Sequence, residues 1–232
     1  MGALDLGQVG IAGSLVALTG LLVVLCVRGF LEFSRKRLQT QLMWASGIAF
    51  AAAAMAVEAV VYLGYVSSLL LEAYVFFSAA IVGVLSLGAT RILRRPRLER
   101  GYTLYIAGTT ALVGIASFLT PLSGASMVSA GIITGDPPLS ILLFSSLVTG
   151  PATVVLLTAS YLSLRRSWRW QTLLMIAGAV ILGAGGTLYI ASFPVALYYA
   201  EFLGIILLFL GLISMPQSSA TTTHTPVPST SS

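Results

Sequence analysis

Three glutamates lie within apolar stretches of this chain, where a carboxyl group is costly and therefore informative. They are Glu58, Glu72 and Glu201, out of only seven acidic residues in 232. No lysine or arginine lies at the ends of these stretches where the glutamates occur, so none compensates their negative charge. A carboxyl group in an apolar environment without a cationic partner favours its neutral form, and intramembrane acids often line routes for protons or ions. The three residues therefore predict a site for a proton or a cation.

The three glutamates are also predicted to share a depth. Each lies roughly 7–10 Å from a turn that has no basic residue, at a rise of about 1.5 Å per helical residue. If their helices pack side by side, the carboxyl groups converge on one polar pocket, with Pro194 at its rim. The alternative is structural: a carboxyl group this near an interface reaches headgroup water, and Glu72 stabilises the positive N-terminal end of its helix.

The elements that carry these residues are predicted to be membrane-spanning helices. The chain is 57% hydrophobic and 8% charged, whereas a soluble domain is about 25% charged. Seven apolar stretches reach the length of about 20 residues that a helix needs to cross a bilayer. We predict an all-α integral membrane protein in which residues 1–215 form a seven-transmembrane-helix bundle. The predicted spans lie near 7–28, 42–64, 69–92, 102–120, 139–163, 171–191 and 194–214.

The positions of the basic residues predict how the bundle is oriented. All twelve lysines and arginines follow the first, third or fifth span, and the other connections have none. Cytoplasmic loops accumulate lysine and arginine, so we predict an outside N-terminus, a cytoplasmic C-terminus and a location in the plasma membrane. The basic clusters should contact anionic lipid headgroups. Binding to nucleic acid is not expected, because the positive charge is confined to short segments beside the spans.

Several segments predict departures from a plain bundle. Gly150 and Pro151 lie near the middle of the fifth span and predict a helix kink there. The connection at 121–138 is almost uncharged, and is either a covering loop or a functional lid. Residues 216–232 are rich in serine, threonine and proline, which predicts a disordered cytoplasmic tail. The aromatic residues near the basic ends of the spans, among them Trp44, Tyr102 and Tyr105, are expected to lie at the membrane interface.

A faint internal repeat links two pairs of spans. Spans two and three run from Trp44 to Glu72, and spans six and seven run from Trp170 to Glu201, with a tight turn inside each pair. The pattern predicts two parallel triplets of helices joined by the fourth span, a 3+1+3 plan that some transporters use. This layout is similar to that of the small sugar-transporting SWEET proteins. Their Pro-Gln motif is absent from the corresponding helices, and Pro216-Gln217 lies at the end of the last span.

The predicted spans lack the residue types that several classes of site require, and this excludes those sites. The only histidine is His224, in the tail, so the spans offer no histidine ligand for haem or a metal and no histidine-based catalytic site. The microbial rhodopsins share this length, span count and orientation, but they need a lysine in the seventh helix to bind retinal. The only lysine here is Lys36, after the first span. We therefore expect no cofactor, no metal site and no enzymatic activity.

Two functional hypotheses follow from these observations. The first is a small transporter or channel-like bundle, linked to protons or cations through Glu58, Glu72 and Glu201. The alternative is a non-catalytic membrane subunit or scaffold, which would bind another membrane protein or a second copy of itself. A lipid-modifying enzyme ranks behind both, because no residue pattern specifies its chemistry.

Overall fold

A computed structural model of the chain gives the arrangement of most of the predicted spans. It describes residues 6–36, 39–92, 96–120, 122–129, 132–133, 138–166, 170, 173–174, 176–178, 180–181, 200, 202–207 and 210–211. Nearly all of these residues are helical. Most of the predicted sixth and seventh spans and the whole tail lie outside the described residues.

Five helices in the described part of the chain are long and apolar enough to cross a membrane, as expected of a multi-pass membrane protein. They are α1 (Leu6–Lys36), α2 (Gln39–Tyr62), α3 (Ser68–Ile92), α4 (Pro96–Leu119) and α6 (Leu139–Arg166). They correspond to the first five predicted spans. The pieces described at 173–181 and 202–207 are helical as well.

Helices α1, α2, α4 and α6 extend further than their predicted spans at the basic end of the bundle, defined here as the end where α2 and α4 begin, and the difference is largest for α1 and α4. The first span was predicted to end near residue 28, but α1 continues through Arg28 to Lys36. A long arginine side chain can keep its charged head at the interface while its stem lies along the helix. The fourth was predicted to begin near residue 102, but α4 begins at Pro96 with Glu99 in its first turn, both favourable at a helix start.

A tight turn joins α2 to α3 at the opposite end. Gly64 has a φ of +94°, which a glycine adopts without steric cost. Its N–H donates to Val61 O at 2.9 Å and the Tyr65 N–H donates to Val60 O at 3.2 Å. These are the two hydrogen bonds of a Schellman motif at a helix C-terminus. Ser67 then caps α3 by accepting the Leu70 N–H on its hydroxyl oxygen at 3.3 Å. The two helices therefore run antiparallel and side by side.

Helix α3 is the centre of the bundle, because it contacts α2, α4 and α6. Small residues allow these close approaches. A Cβ atom at Gly47 would lie 2.6 Å from Leu85 Cδ2, and one at Gly88 would overlap the Trp44 indole. Trp44 is only 1% exposed. It is therefore part of the α2–α3 packing and does not occupy the interfacial position that the sequence predicts.

The 121–138 connection folds back over the end of the bundle opposite the arginines, here called the capped end. Its described part contains a one-turn helix, α5 (Gly124–Met127), and two short antiparallel strands, β1 (Val128–Ser129) and β2 (Ile132–Ile133), which pair Val128 with Ile133. Met127 and Ile133 are buried against Val61 and Leu71. The connection thus covers the ends of α2, α3 and α4.

Candidate functional site

Two of the three glutamates of the predicted site, Glu58 and Glu72, lie at the same height in the α2–α3 hairpin. Glu58 is four residues before the last residue of α2, and Glu72 is four residues after the first residue of α3. Both are buried, at 3% and 8% exposure respectively. Neither side chain is therefore exposed on the surface of the bundle, whereas the position of Glu72 in the first turns of α3 still allows it to stabilise the N-terminal end of that helix. Glu201 lies outside the described residues, so convergence of all three carboxyl groups stays a prediction.

Glu58 and Glu72 belong to different seams of the bundle. Glu58 shares the face of α2 that carries Gly47 and Trp44, and both of these contact α3. Glu72 shares the face of α3 that carries Gly83, which lies eleven residues, or about three turns, further along. A Cβ atom at Gly83 would meet Ile106 of α4 at 3.2 Å and Val148 of α6 at 3.1 Å. Glu72 therefore faces α4 and α6, on the side of α3 away from α2.

The seam between α3 and α4 carries a row of buried hydroxyl groups. Near the basic end, Ser86 Oγ donates to Gly83 O at 2.6 Å and lies 2.8 Å from Tyr102 Oη. Because the single hydrogen of Ser86 is used on the carbonyl, Tyr102 is the donor in the second bond. Thr110 Oγ1 lies next to Gly83, 3.7 Å from where a Cβ atom would be. The hydroxyl groups of Thr110 and Ser117 are buried without a hydrogen-bond partner.

Ser117 occupies the same level as Glu72. The Phe76 ring packs on Gly114, where a Cβ atom would lie 3.3 Å from its Cδ2. Helices α3 and α4 are antiparallel, so one turn from this contact toward the capped end brings Glu72 of α3 opposite Ser117 of α4. Ser117 is fully buried. A carboxyl group and a hydroxyl group without a hydrogen-bond partner therefore lie at the same level at the capped end of the seam.

The capped connection and Phe76 bound this pair of polar groups from two sides. On one side, Leu122 and Met127 pack in one cluster with Leu71 and Ala116, the neighbours of Glu72 and Ser117 in sequence. On the other, the Phe76 ring lies between Gly114 and Phe50, 6.3 Å from the Phe50 ring centroid. Along the helix axes, the polar pair thus lies between an apolar cluster and an aromatic contact.

The predicted kink site in α6 has an interhelical partner. Helix α6 continues through Pro151, and proline has no N–H to donate to the carbonyl of Leu147 four residues earlier. Tyr105 of α4 supplies the missing donor, since its hydroxyl group donates to Leu147 O at 2.7 Å. Gly150 is exposed, with nothing within 4 Å of a Cβ atom placed there. The kink itself stays a prediction.

The sequence interpretation missed the hydroxyl groups of this site. It predicted an interfacial position for Tyr102 and Tyr105 but did not predict that their hydroxyl groups bond to Ser86 and to the Leu147 carbonyl. A usable signal was the spacing of Tyr102, Thr110 and Ser117, which places three hydroxyl groups on one face of α4. Among the described residues, no group of three histidine, cysteine or acidic side chains is arranged to hold a metal ion.

No protein-family model, curated protein or solved structure matches this chain. The functional interpretation therefore depends on the sequence and on the geometry of the site.

Proposed function

We propose that this protein is a small transporter or channel-like bundle of the plasma membrane that moves protons or cations, with Glu72 as its central carboxyl group. The observation that supports the proposal best is the burial of Glu72 inside the bundle at 8% exposure. A glutamate kept only for solubility or helix capping gains more from facing headgroup water. Glu58 is buried at the same height, at 3% exposure, but on the seam between α2 and α3.

The charge distribution of the sequence supports the same proposal. No lysine or arginine occurs between residues 38 and 90 or between residues 101 and 164, which covers α4 beyond its first turns and almost all of α2, α3 and α6. An ionised carboxyl group at depth in a membrane costs several kcal/mol unless a charge compensates it. A proton or a bound cation provides that compensation reversibly, as transport requires.

The proposal is tested by flux measurements on the full-length protein in liposomes. Proton, sodium and potassium gradients are imposed separately, and entry is followed with pH-sensitive or ion-sensitive dyes inside the vesicles. We expect wild-type flux of at least one of these ions, reduced about tenfold or more by Glu72→Gln, because the amide cannot release a proton. Glu99→Gln, in the first turn of α4 at the basic end, is the matched control and should retain wild-type flux.

Two outcomes would contradict the proposal. One is wild-type protein that is folded but moves none of the three ions. The other is Glu72→Gln with unchanged flux. If the inactive wild-type protein also purified with a stoichiometric membrane partner, the non-catalytic subunit would become the better explanation.

A further inference from the structure

We propose that the seam between α3 and α4 is a proton route, with Glu72 and Ser117 as its entrance and Thr110, Ser86 and Tyr102 as its relay to the basic end. This inference rests on the proposed transport function and narrows its substrate class from protons or cations to protons. It also adds four hydroxyl residues to a site that the sequence describes through carboxyl groups alone.

The entrance consists of the Glu72 carboxyl group and the Ser117 hydroxyl group, which can form a hydrogen bond with each other. Ser117 Oγ is fully buried and has no hydrogen-bond partner, a state that buried hydroxyl groups rarely keep without a water molecule or a ligand. The contact of Phe76 with Gly114 places the Glu72 carboxyl group at the level of this hydroxyl. A protonated carboxyl group can donate to Ser117 directly or through one water molecule, and an ionised one can accept from it.

Two hydrogen bonds define the basic end of the relay. Tyr102 donates to Ser86 at 2.8 Å, and Ser86 donates to Gly83 O at 2.6 Å. Before the transfer both hydroxyl groups rotate, so that Ser86 donates to Tyr102 Oη and Tyr102 donates to water at the basic end; either oxygen of this pair can be the donor. A proton that arrives at Ser86 Oγ then displaces the hydrogen of that hydroxyl onto Tyr102 Oη, and Tyr102 releases its own hydrogen to the water. Each oxygen gains one hydrogen and loses one, and Tyr102 again donates to Ser86.

The packing at Gly83 selects protons over hydrated cations. A single added Cβ atom at Gly83 would already lie 3.1 Å from Val148 and 3.2 Å from Ile106. A cation coordinated by about six oxygens needs far more room than one methyl group, whereas a proton passes along hydroxyl groups and single water molecules. The Phe76–Gly114 contact lies between the entrance and Thr110. With its ring packed on Gly114, Phe76 therefore interrupts the route between Ser117 and Thr110.

The first test removes one hydroxyl group at a time and measures proton flux in liposomes. Thr110→Val and Tyr102→Phe keep the shape of each side chain, and each should reduce proton flux about tenfold or more. Thr109→Val is the matched control, because the Thr109 hydroxyl donates to Tyr105 O within its own helix at 2.8 Å and lies off the seam. Equal flux in wild type, Thr110→Val and Tyr102→Phe would overturn the route and leave the proposed transport function standing.

The second test measures water access to the entrance and does not depend on flux. The single cysteine, Cys26, is first replaced by serine, and Ser117→Cys and Phe118→Cys are introduced separately. Phe118 is exposed on the outer surface of α4. A small water-soluble thiol reagent should modify the cysteine at position 117 and leave the lipid-facing cysteine at 118 unmodified. Failure to modify position 117 in folded protein would overturn the entrance, whereas modification without any proton flux would refute transport through it.

Discussion

Tyr105 and Pro151 are coupled through one carbonyl oxygen, that of Leu147. In a regular helix the N–H of residue 151 would donate to this oxygen, but proline has none. Tyr105 Oη donates to it instead, across the α4–α6 seam at 2.7 Å. Tyr105→Phe removes this donor and keeps the ring, which lies 6.3 Å from the Tyr102 ring. The variant therefore isolates the hydrogen bond.

The position of the Tyr105–Leu147 hydrogen bond determines how much stability its loss should cost. Leu147 is 49% exposed and Tyr105 38% exposed, on a surface that faces lipid if α4 and α6 span the membrane. No water is then present to replace the lost donor. Interhelical hydrogen bonds in membrane proteins contribute about 0.6 kcal/mol on average and up to about 1.7 kcal/mol. Because the bond is short and its acceptor has no other donor from its own helix, we expect Tyr105→Phe to lower the free energy of unfolding by about 1.5 kcal/mol.

A double-mutant cycle separates this cause from general packing effects. Pro151→Ala restores a backbone N–H at position 151, which can satisfy Leu147 O within α6. In that background Tyr105→Phe should cost only about 0.5 kcal/mol, a coupling of about 1 kcal/mol between two residues on different helices. The free energies are measured for all four proteins by reversible unfolding in mixed micelles, followed by circular dichroism. An equal cost of Tyr105→Phe in both backgrounds would refute this reasoning.

Two further predictions concern packing and orientation. Gly88→Ala should lower the free energy of unfolding by about 1–3 kcal/mol because its Cβ atom overlaps the Trp44 indole, whereas Gly20→Ala on α1, with nothing within 4 Å, should not be destabilising in the same assay. In a Cys26→Ser background, an impermeant thiol reagent applied to intact cells should label Tyr65→Cys, in the α2–α3 turn, and reach Leu98→Cys at the basic end only after permeabilisation. The reverse labelling pattern would show that the arginines lie outside.

The sequence predicted the existence of the helices better than their ends. Long apolar stretches form helices in a membrane because every backbone hydrogen bond must be satisfied within the segment, and this holds for the five described spans. The ends differ where side chains adapt to the interface. Arg28 does not end α1, since a flexible charged side chain can reach water from within a helix.

The partners of the polar side chains could not be predicted, because they depend on rotation about each helix axis. Thr109 and Thr110 are neighbours of the same type, yet one donates to its own backbone and the other faces Gly83. Trp44 shows the same limit. A tryptophan near the start of a span is usually interfacial, but the missing side chain of Gly88 leaves room for this indole inside the hairpin.

The height and the direction of the glutamates follow from different features of the sequence. A short turn between two antiparallel helices fixes the height. Glu58 is four residues before the end of α2 and Glu72 is four residues after the start of α3, so the two residues lie at the same level. Direction changes by about 100° per residue, and the glycine contacts decide which face meets which neighbour. With helix axes about 8–10 Å apart and the backbone of α3 between them, these two carboxyl groups cannot share one proton in the manner of a carboxylate dyad, which needs a separation of about 3 Å. Each must therefore find its own polar partners, and for Glu72 the geometry offers the hydroxyl groups of α4.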